Sequence, residues 1–333
     1  MRKRLITAVV LAFSLTPIAF INSSHAATSK IAVIYDLGGR GDGGINDDAG
    51  LGVDKARKKF NLGPLALREI ATNGTDIDRL LKMRFLAKNG YNPIILVGYG
   101  FQTSLNQAMT EFPDLEFGII DSSNIGQLNV EAMVFNEAQT SYLAGVLAAS
   151  ASKTKKIGFI PDFYRTNLRD LTTAFRAGAA SVNKKILVIP QTVGSQAGSD
   201  AAAMIKRGAD VIYSTFNTDS EVINEVAKLN STKKPLRYIG VLPDQFYLKN
   251  EKTRKVLIGA SRKRVDTAVY DLIDYGLQNR SYIDVLDASR GVFGHEYDLK
   301  DGGVEFLVPS LGKAFIPAVL KAQADIKSGK VKL

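Results

Sequence analysis

From Lys30 onward, short apolar runs rich in β-branched residues alternate with longer amphipathic stretches. In the first half of the chain the apolar runs predict strands at 31–35, 65–69, 94–97, 117–121 and 132–135. The stretches between them predict helices at 47–60, 76–89 and 103–111. Strands that are apolar throughout, with helices between them, are typical of a parallel sheet covered on both faces.

The same alternation then begins again. It predicts strands at 156–160, 186–190, 211–214, 238–241 and 256–261, and helices at 139–150, 167–182, 200–207 and 219–229. The last part of the chain predicts a helix at 266–278, a turn-rich stretch around 298–303 and a closing helix at 309–327. We therefore expect two doubly wound α/β lobes in tandem, with chain crossings at a hinge near residues 124–129.

The first residues predict export. Three cations at 2–4 precede an apolar run at 5–21, and Ser24 and Ala26 satisfy the small-x-small rule of signal peptidase. A retained membrane anchor is the alternative, but Pro17 interrupts the apolar run and no stop-transfer sequence follows it. We expect cleavage after about Ala26.

The composition narrows what the exported protein does. The absence of cysteine excludes disulfides and a lipid-modified N-terminal cysteine, so we expect a periplasmic protein without a lipid anchor. Removing the three leader cations lowers the formal charge from +10 to +7 and leaves 307 residues, enough for two lobes. The cations are scattered among acids, and an exported chain does not meet nucleic acid, so we expect no nucleic-acid partner.

A glycine-rich loop follows the first predicted strand and contains a G-x-G-x-x-G match at Gly39, Gly41 and Gly44. Glu69 ends the next predicted strand, roughly where the ribose-binding acid of a dinucleotide site would lie. The charges oppose that interpretation. Four acids crowd the loop, namely Asp36, Asp42, Asp47 and Asp48, and only Arg40 offsets their negative charge. Such a loop suits a neutral polyol or base. Alternatively, its polar residues only cap a turn and a helix.

Catalytic and metal chemistry find little support. His295 is the one histidine outside the predicted leader, and Gly194-Ser-Gln-Ala-Gly198 has its serine one place too early for a nucleophile elbow. Zinc has too few nitrogen or sulfur ligands, and the acids at 42–48 do not have calcium-loop spacing. We expect no catalytic residue, no metal and no cofactor.

Segments in a fixed order resemble the basic membrane protein family of substrate-binding proteins, which includes purine nucleoside receptors. The matching segments are Asp36-x-Gly-Gly-x-x-Asp-x-x-Ile-Asn46, Val97-Gly-Tyr-Gly-Phe101, the stretches 112–121, 135–149 and 157–160, Gly208-Ala-Asp-Val-Ile212, Ile239-Gly-Val241, Asp244-Gln245, Lys263-Arg-Val-Asp266 and Leu299-Lys-Asp-Gly-Gly-Val304. The resemblance implies a type I periplasmic binding fold, with two doubly wound parallel-sheet lobes joined by a hinge. It also implies a nucleoside between the lobes, delivered to an ABC permease.

We expect nine residues at the ligand site, seven of which are carried over from the resemblance residue by residue. In that assignment Asp36, Asn46 and Asp121 form the first-lobe wall, Tyr213 stacks on the base, Gly240 offers backbone contact, and Asp266 and Lys300 bind sugar hydroxyls. The other two are Ile45, at the position of a family aromatic, and Tyr99, which could cover the base in its place. Simpler interpretations remain open for four of these residues. Asp121 and Asp266 are also suited to capping, Tyr213 to core packing and Lys300 to a solvated turn.

The sequence departs from the family pattern at three places. Ile45 stands where the family usually has a phenylalanine that covers the base, although Tyr99 or Phe101 could replace it. The stretch 215–220 replaces a glycine-rich segment, and Leu242 replaces a common aspartate. These departures keep two alternatives open: a sugar- or nucleobase-binding protein, and an exported surface antigen with a vestigial cleft.

Three further expectations concern organisation. The first lobe should comprise 27–125 plus about 246–290, and the second 126–245 plus about 291–333. The protein should be a monomer. The basic run Arg262-Lys263-Arg264 should be an exposed face rather than a phosphate site.

Overall fold

The structure is a computed structural model that describes residues 30–123, 127–161, 168–190, 197–215, 221–241, 251–282 and 293–333. The predicted leader at 1–26 lies outside these ranges. Among the helices they contain, none is long and apolar enough to cross a membrane.

The strands of the described ranges, in chain order, are β1 (Ile31–Tyr35), β2 (Leu67–Ala71), β3 (Ile94–Val97), β4 (Phe117–Ile120), β5 (Val130–Phe135), β6 (Lys156–Ile160), β7 (Leu187–Ile189), β8 (Val211–Ser214), β9 (Arg237–Val241), β10 (Leu257–Lys263), β11 (Gly294–Tyr297) and β12 (Val304–Leu307).

The α-helices of the same ranges are α1 (Ile45–Phe60), α2 (Asp76–Lys88), α3 (Gln102–Glu111), α4 (Glu137–Ala151), α5 (Leu168–Val182), α6 (Ala197–Lys206), α7 (Glu221–Leu229), α8 (Glu251–Arg254), α9 (Val265–Leu277) and α10 (Ile316–Lys327). Two 3₁₀ segments, Tyr99–Phe101 and Ser310–Phe315, precede α3 and α10.

The first lobe is built on a parallel sheet with the strand order β11-β5-β4-β3-β1-β2. Both faces of its central strands are buried. Ile31 and Val33 of β1 join an apolar cluster with α1 and α9, whereas Ala32 and Ile34 join another with α2 and α3. This two-sided burial explains why β1 and β3 are apolar at every position and could be predicted from the sequence.

The second lobe is built on a sheet with the order β12-β10-β9-β8-β6-β7. Its neighbours are parallel except for β12, which runs antiparallel to β10. Helices α4 and α5 pack against each other beside this sheet, and α6 and α7 cover the other face. The expected arrangement of two doubly wound lobes is therefore present.

The chain passes between the lobes at three places that the structure describes. The first crossing joins β5 to α4, the second joins β10 to α9, and the third joins β11 to β12. After the second crossing, α9 packs on α1 of the first lobe. The two helices approach so closely that a Cβ on Gly52 would lie 2.3 Å from the carbonyl oxygen of Asp266, which explains the glycine.

Three strands do not lie in the lobe to which the expected boundaries assign them. Strand β5 and strand β11 belong to the first sheet, although they fall within 126–245 and about 291–333, and β10 belongs to the second sheet, although it falls within about 246–290. An apolar run reveals a strand but not its sheet, so the crossings cannot be located from the pattern. For two strands of the last segment, β11 and β12, the pattern gave no bounds, because they are short and carry polar residues.

Candidate ligand-binding cleft

The carboxyl ends of the first-lobe strands bring two predicted ligand residues to one edge. Tyr35 pairs with Val97, and Val97 pairs with Ile120. Asp36 and Asp121 each follow one of these strands directly, so they lie at the same edge of the sheet with β3 between them. Ligands of open α/β sheets bind outside this edge.

The glycine-rich loop uses its own carboxylates to bind its amide groups. Asp47 accepts hydrogen bonds from the amides of Gly41 (2.6 Å) and Gly43 (2.9 Å), and Asp42 accepts one from Gly44 (2.8 Å). A phosphate cradle needs these donors to point at the ligand. Because acids of the loop already occupy them, the geometry opposes the dinucleotide interpretation.

Glu69, the candidate ribose-binding acid of that interpretation, is also engaged. Its carboxylate accepts hydrogen bonds from Tyr35, Arg40 and Arg57. Burial raises the pKa of the Tyr35 hydroxyl, and the neighbouring Glu69 carboxylate raises it further. The hydrogen bonds of Glu69 with Tyr35, Arg40 and Arg57 therefore connect the loop to the β1–β2 edge of the sheet.

Asp36 is held by an arginine from α2. The Arg79 guanidinium donates to both carboxylate oxygens at 2.9 Å, and the Thr72 hydroxyl donates to one of them at 3.1 Å. Gly100 lies directly over this pair, since a Cβ there would be 2.3 Å from the Asp36 carboxylate. The Asp36 side chain is 21% exposed. The hydrogen bonds fix its orientation, and the carboxylate still reaches solvent.

Ile45 and Asn46 begin α1. Ile45 is half-buried against the apolar core. Asn46 is 2% exposed, and its side-chain amide donates to the Leu37 carbonyl at 3.3 Å. The Asn46 Oδ1 atom is buried and has no hydrogen-bond partner in the structure, so it is an acceptor that the protein leaves unused.

Asp121 meets a cation from the second sheet. Its backbone adopts the left-handed conformation (φ 63°), which turns the chain at the end of β4. Its Oδ2 atom accepts a hydrogen bond from the Lys263 ammonium at 2.6 Å, and the same ammonium lies 3.6 Å from Oε1 of Glu137. Lys263 ends β10, so this contact joins the two lobes.

Asp266, in the first turn of α9, is held in a similar way. The Arg264 guanidinium donates to its two oxygens at 2.8 and 2.9 Å. Burial would raise the pKa of Asp266, but Arg264 and Arg262 outweigh it and lower the pKa below its usual value.

A second interlobe ion pair lies beside it. Arg262 of β10 donates to Asp48 of α1 at 2.8 Å, and the Asp48 side chain is only 1% exposed. Burial dominates there and raises the pKa of Asp48, although Arg262 opposes the shift.

Tyr213 lies inside the second lobe, which corrects the expected base-stacking role. It is 1% exposed, and its ring stacks on Phe159 and Phe175 at centroid distances of 5.0 and 5.3 Å. Tyr213 shares its strand face with Val211, and both belong to the core cluster. Core packing, the simpler alternative, is what the structure shows. Gly240 is buried in the neighbouring strand β9, and its carbonyl accepts from Ser261 at 3.4 Å.

The last two predicted residues are exposed. Tyr99 retains 52% of its area in the 3₁₀ segment after β3, at the edge shared by Asp36 and Asp121. Lys300 lies in the turn between β11 and β12, and its amide donates to Asp298 at 2.6 Å. Residues 216–220 and Leu242, where the sequence departs from the family pattern, lie outside the described residues.

The structure thus gathers part of the predicted set. Asp36, Tyr99 and Asp121 share one edge. Asp266 lies beside the interlobe ion pair of Arg262 and Asp48, whereas Tyr213 turns inward. Sequence reasoning missed the cations that hold the acids, namely Arg79, Lys263 and Arg264. The expectation of an exposed face at 262–264 was wrong, because these side chains are 22%, 7% and 28% exposed and bind acids. Within the described ranges, no group of three histidine, cysteine or acidic residues is arranged to hold a metal.

Comparisons with known proteins identify the family. The family model described as "ABC transporter substrate-binding protein PnrA-like" matches residues 28–331. The ABC transporter nucleoside-binding protein BmpA of Lactococcus lactis is 29% identical, with 99% of each chain covered. Basic membrane protein A of Borreliella burgdorferi is 30% identical over 72% of each chain.

Solved structures support the fold. An ABC transporter solute-binding protein from Aeropyrum pernix aligns with a TM-score of 0.68 and 19% identity, covering 91% of this chain and 92% of the other. The expected type I periplasmic binding fold is confirmed, as is the resemblance to the basic membrane protein family. The chain belongs to the PnrA-like family of ABC transporter substrate-binding proteins.

Proposed function

We propose that this protein binds a nucleoside, or a related small neutral polar solute, between its lobes and delivers it to an ABC permease. The observation that carries the proposal is the set of acids at the interlobe edge, each oriented by a basic side chain. Asp36 has Arg79, Asp121 has Lys263 and Asp266 has Arg264. A carboxylate held in this way has further lone pairs that accept from ligand hydroxyls.

The pairing also favours an uncharged ligand. The cations offset much of the negative charge of the acids, so the wall does not present bare carboxylates that would select a cation. A nucleoside supplies several hydroxyl donors and no charge. The name of the relative from Lactococcus lactis supports the same ligand class.

Transport requires no bond to be made or broken. Binding of a ligand that contacts both lobes favours the closed arrangement, because only a difference in contact between two states shifts their populations. The permease then recognises the closed form. We propose that the protein acts as a monomer in the periplasm after its leader is removed.

Calorimetry with adenosine, guanosine, inosine, uridine, cytidine, adenine and ribose tests the proposal. We expect saturable binding of one nucleoside per chain, and a ligand at 100 times its Kd should stabilise the fold by about 2.7 kcal/mol. Asp121→Asn and Asp266→Asn should each lower the affinity about 10- to 100-fold, since hydrogen bonds to charged groups contribute about 1.5–3 kcal/mol.

Glu111→Gln is the matched control. It also removes a carboxylate held by an arginine, Arg84, but at the carboxyl end of α3 on the surface of the first lobe. Its affinity should equal that of the wild type. No heat with any nucleoside would contradict the proposal, and conversion of the nucleoside to product would identify an enzyme instead.

A sugar is the second candidate, and one observation favours it. Of the two positions expected to sandwich a base, Ile45 is aliphatic and Tyr213 is packed in the core. Stacking contributes about 1–3 kcal/mol per base, so without it a nucleoside loses its advantage over a pentose. Binding of ribose that is as tight as that of any nucleoside would support this candidate.

A further inference from the structure

The run Arg262-Lys263-Arg264 lies at the second crossing between the lobes. Lys263 is the most buried of the three, with 7% of its side chain exposed, and its two acidic partners are similarly buried at 11% and 10%. Those partners lie on opposite sides of the first crossing. Asp121 belongs to the first lobe, and Glu137 is the first residue of α4 in the second.

The same run is tied to the third crossing. The Arg264 amide donates to the Gly303 carbonyl at 2.8 Å, and the Arg264 guanidinium donates to Glu305 of β12 at 3.1 Å. The first and third crossings are also joined directly, because the Asn136 amide donates to the Tyr297 carbonyl at 2.8 Å. The three crossings therefore form one bonded unit.

We propose that Lys263 is a positioning residue for ligand binding: it orients Asp121 and connects that carboxylate to the hinge. The ligand role of Asp121 rests on the proposed function. A ligand hydroxyl that donates to a further lone pair of Asp121 weakens the hold of this carboxylate on Lys263, and the ammonium then shifts towards Glu137. Because a buried charge must keep a partner, this shift moves the hinge rather than breaking it.

The test uses labels, which the absence of cysteine makes simple. Thr103→Cys and Ala203→Cys place spin labels on exposed positions of α3 and α6, one in each lobe. In the ligand-free protein, Lys263→Met should broaden the interlobe distance distribution. It should also weaken nucleoside binding about tenfold or more, as expected for loss of coupling. Lys263→Arg should keep the wild-type distribution and most of the affinity.

Lys321→Met is the matched control. Lys321 also lies close to an acid, Asp325, at 3.0 Å, but both residues belong to α10. This variant should change neither the distances nor the affinity. Should Lys263→Met fail to fold, the double variant Lys263→Met with Asp121→Asn, which removes both charges of the pair, takes its place and should also show the broadened distribution.

A wild-type distance distribution and affinity in Lys263→Met, or a wild-type distribution in the double variant, would overturn the proposal. A failure of the proposed function can be distinguished from a failure of this proposal. If the wild type binds no nucleoside, the ligand-free distances still decide whether Lys263 holds the lobes together.

Discussion

Asp121 and Glu131 are acids of the same lobe with little exposure to solvent, and the charges around them are opposite. Asp121 lies at the carboxyl edge of the first sheet with the Lys263 ammonium 2.6 Å away. Glu131 lies within β5 beneath α9, is 0% exposed, and neither of its oxygens has a hydrogen-bond partner in the structure. One acid is stabilised by an opposite charge, and the other has no hydrogen-bond partner among the residues that the structure describes.

Burial and the neighbouring charges determine the pKa of Glu131. Burial is the largest influence, and Glu116 and Asp271 add negative charge that Arg280 offsets only in part, so the pKa of Glu131 rises to about 9. Three tyrosines, Tyr275, Tyr282 and Tyr297, also lie close enough to interact with it. Near the hinge, burial is compensated by cations, whereas beneath α9 it is compensated by a bound proton.

The largest expected effect tests that proton. Glu131 has a folded pKa of about 9 against 4.5 in the unfolded chain, so its contribution to stability is complete below pH 4.5 and is lost as the pH rises towards 9. Glu131→Gln should therefore be more stable than the wild type at pH 8.5 by on the order of 5 kcal/mol, at about 1.4 kcal/mol per pH unit. Urea unfolding at pH 5, 7 and 8.5 measures the difference. A gain that does not grow with pH would show that Glu131 is ionised.

Tyr213, which is buried and uncharged, provides a pH-independent reference for Glu131. Tyr213→Ala should lower the free energy of unfolding by about 4 kcal/mol, because the ring fills the core against Phe159 and Phe175. The loss should be the same at pH 5 and pH 8.5. Tyr213→Phe, the matched control, should keep nucleoside affinity. A large loss of affinity in Tyr213→Phe would return this residue to the ligand site.

Arg262→Met should make Asp48 resemble Glu131. Asp48 would stay buried without the guanidinium that now lies 2.8 Å away, and breaking such a pair costs about 3 kcal/mol at pH 7. Burial already raises the pKa of Asp48, and this variant should raise it further. The loss should then shrink as the pH is lowered and Asp48 takes up a proton. A loss independent of pH would indicate a packing effect instead.

The smallest effect is expected at the surface. Arg84 and Glu111 form an ion pair at 2.5 Å, closer than the hinge pair of Arg262 and Asp48. Solvent and salt screen this exposed pair, so Arg84→Met should leave the unfolding midpoint within error. A measurable loss that persists in 1 M salt would mean that distance, rather than burial, decides the value of an ion pair here.

The sequence allowed the lobes to be predicted because buried parallel strands have a clear pattern. Strands β1 and β3 match the predicted bounds, while β2 begins two residues later than expected. Strands β11 and β12 carry His295, Glu296 and Glu305 and lie at sheet edges, where burial is incomplete. Their hydrophobic pattern was therefore too weak to give their bounds.

The partners of the candidate ligand acids could not be predicted from the sequence. Asp36 and Arg79 are 43 residues apart, and Asp121 and Lys263 are 142 residues apart. No local spacing records such pairs, and each acid alone is compatible with capping. Tyr213 is different, since the two-residue period of a strand places it on the same face as the apolar Val211. This two-residue period favours a core position for Tyr213.

The three crossings also set the order in which the molecule can be completed. Helix α9 and strand β11 belong to the lobe that begins at residue 30, yet β11 ends at residue 297. Until that residue is synthesised, β5 remains an open edge of a partial sheet, the kind of surface on which strands of other chains add. The lobe that is started first is completed only after most of the second lobe has been synthesised, so a nascent chain halted anywhere before β11 lacks a complete first lobe.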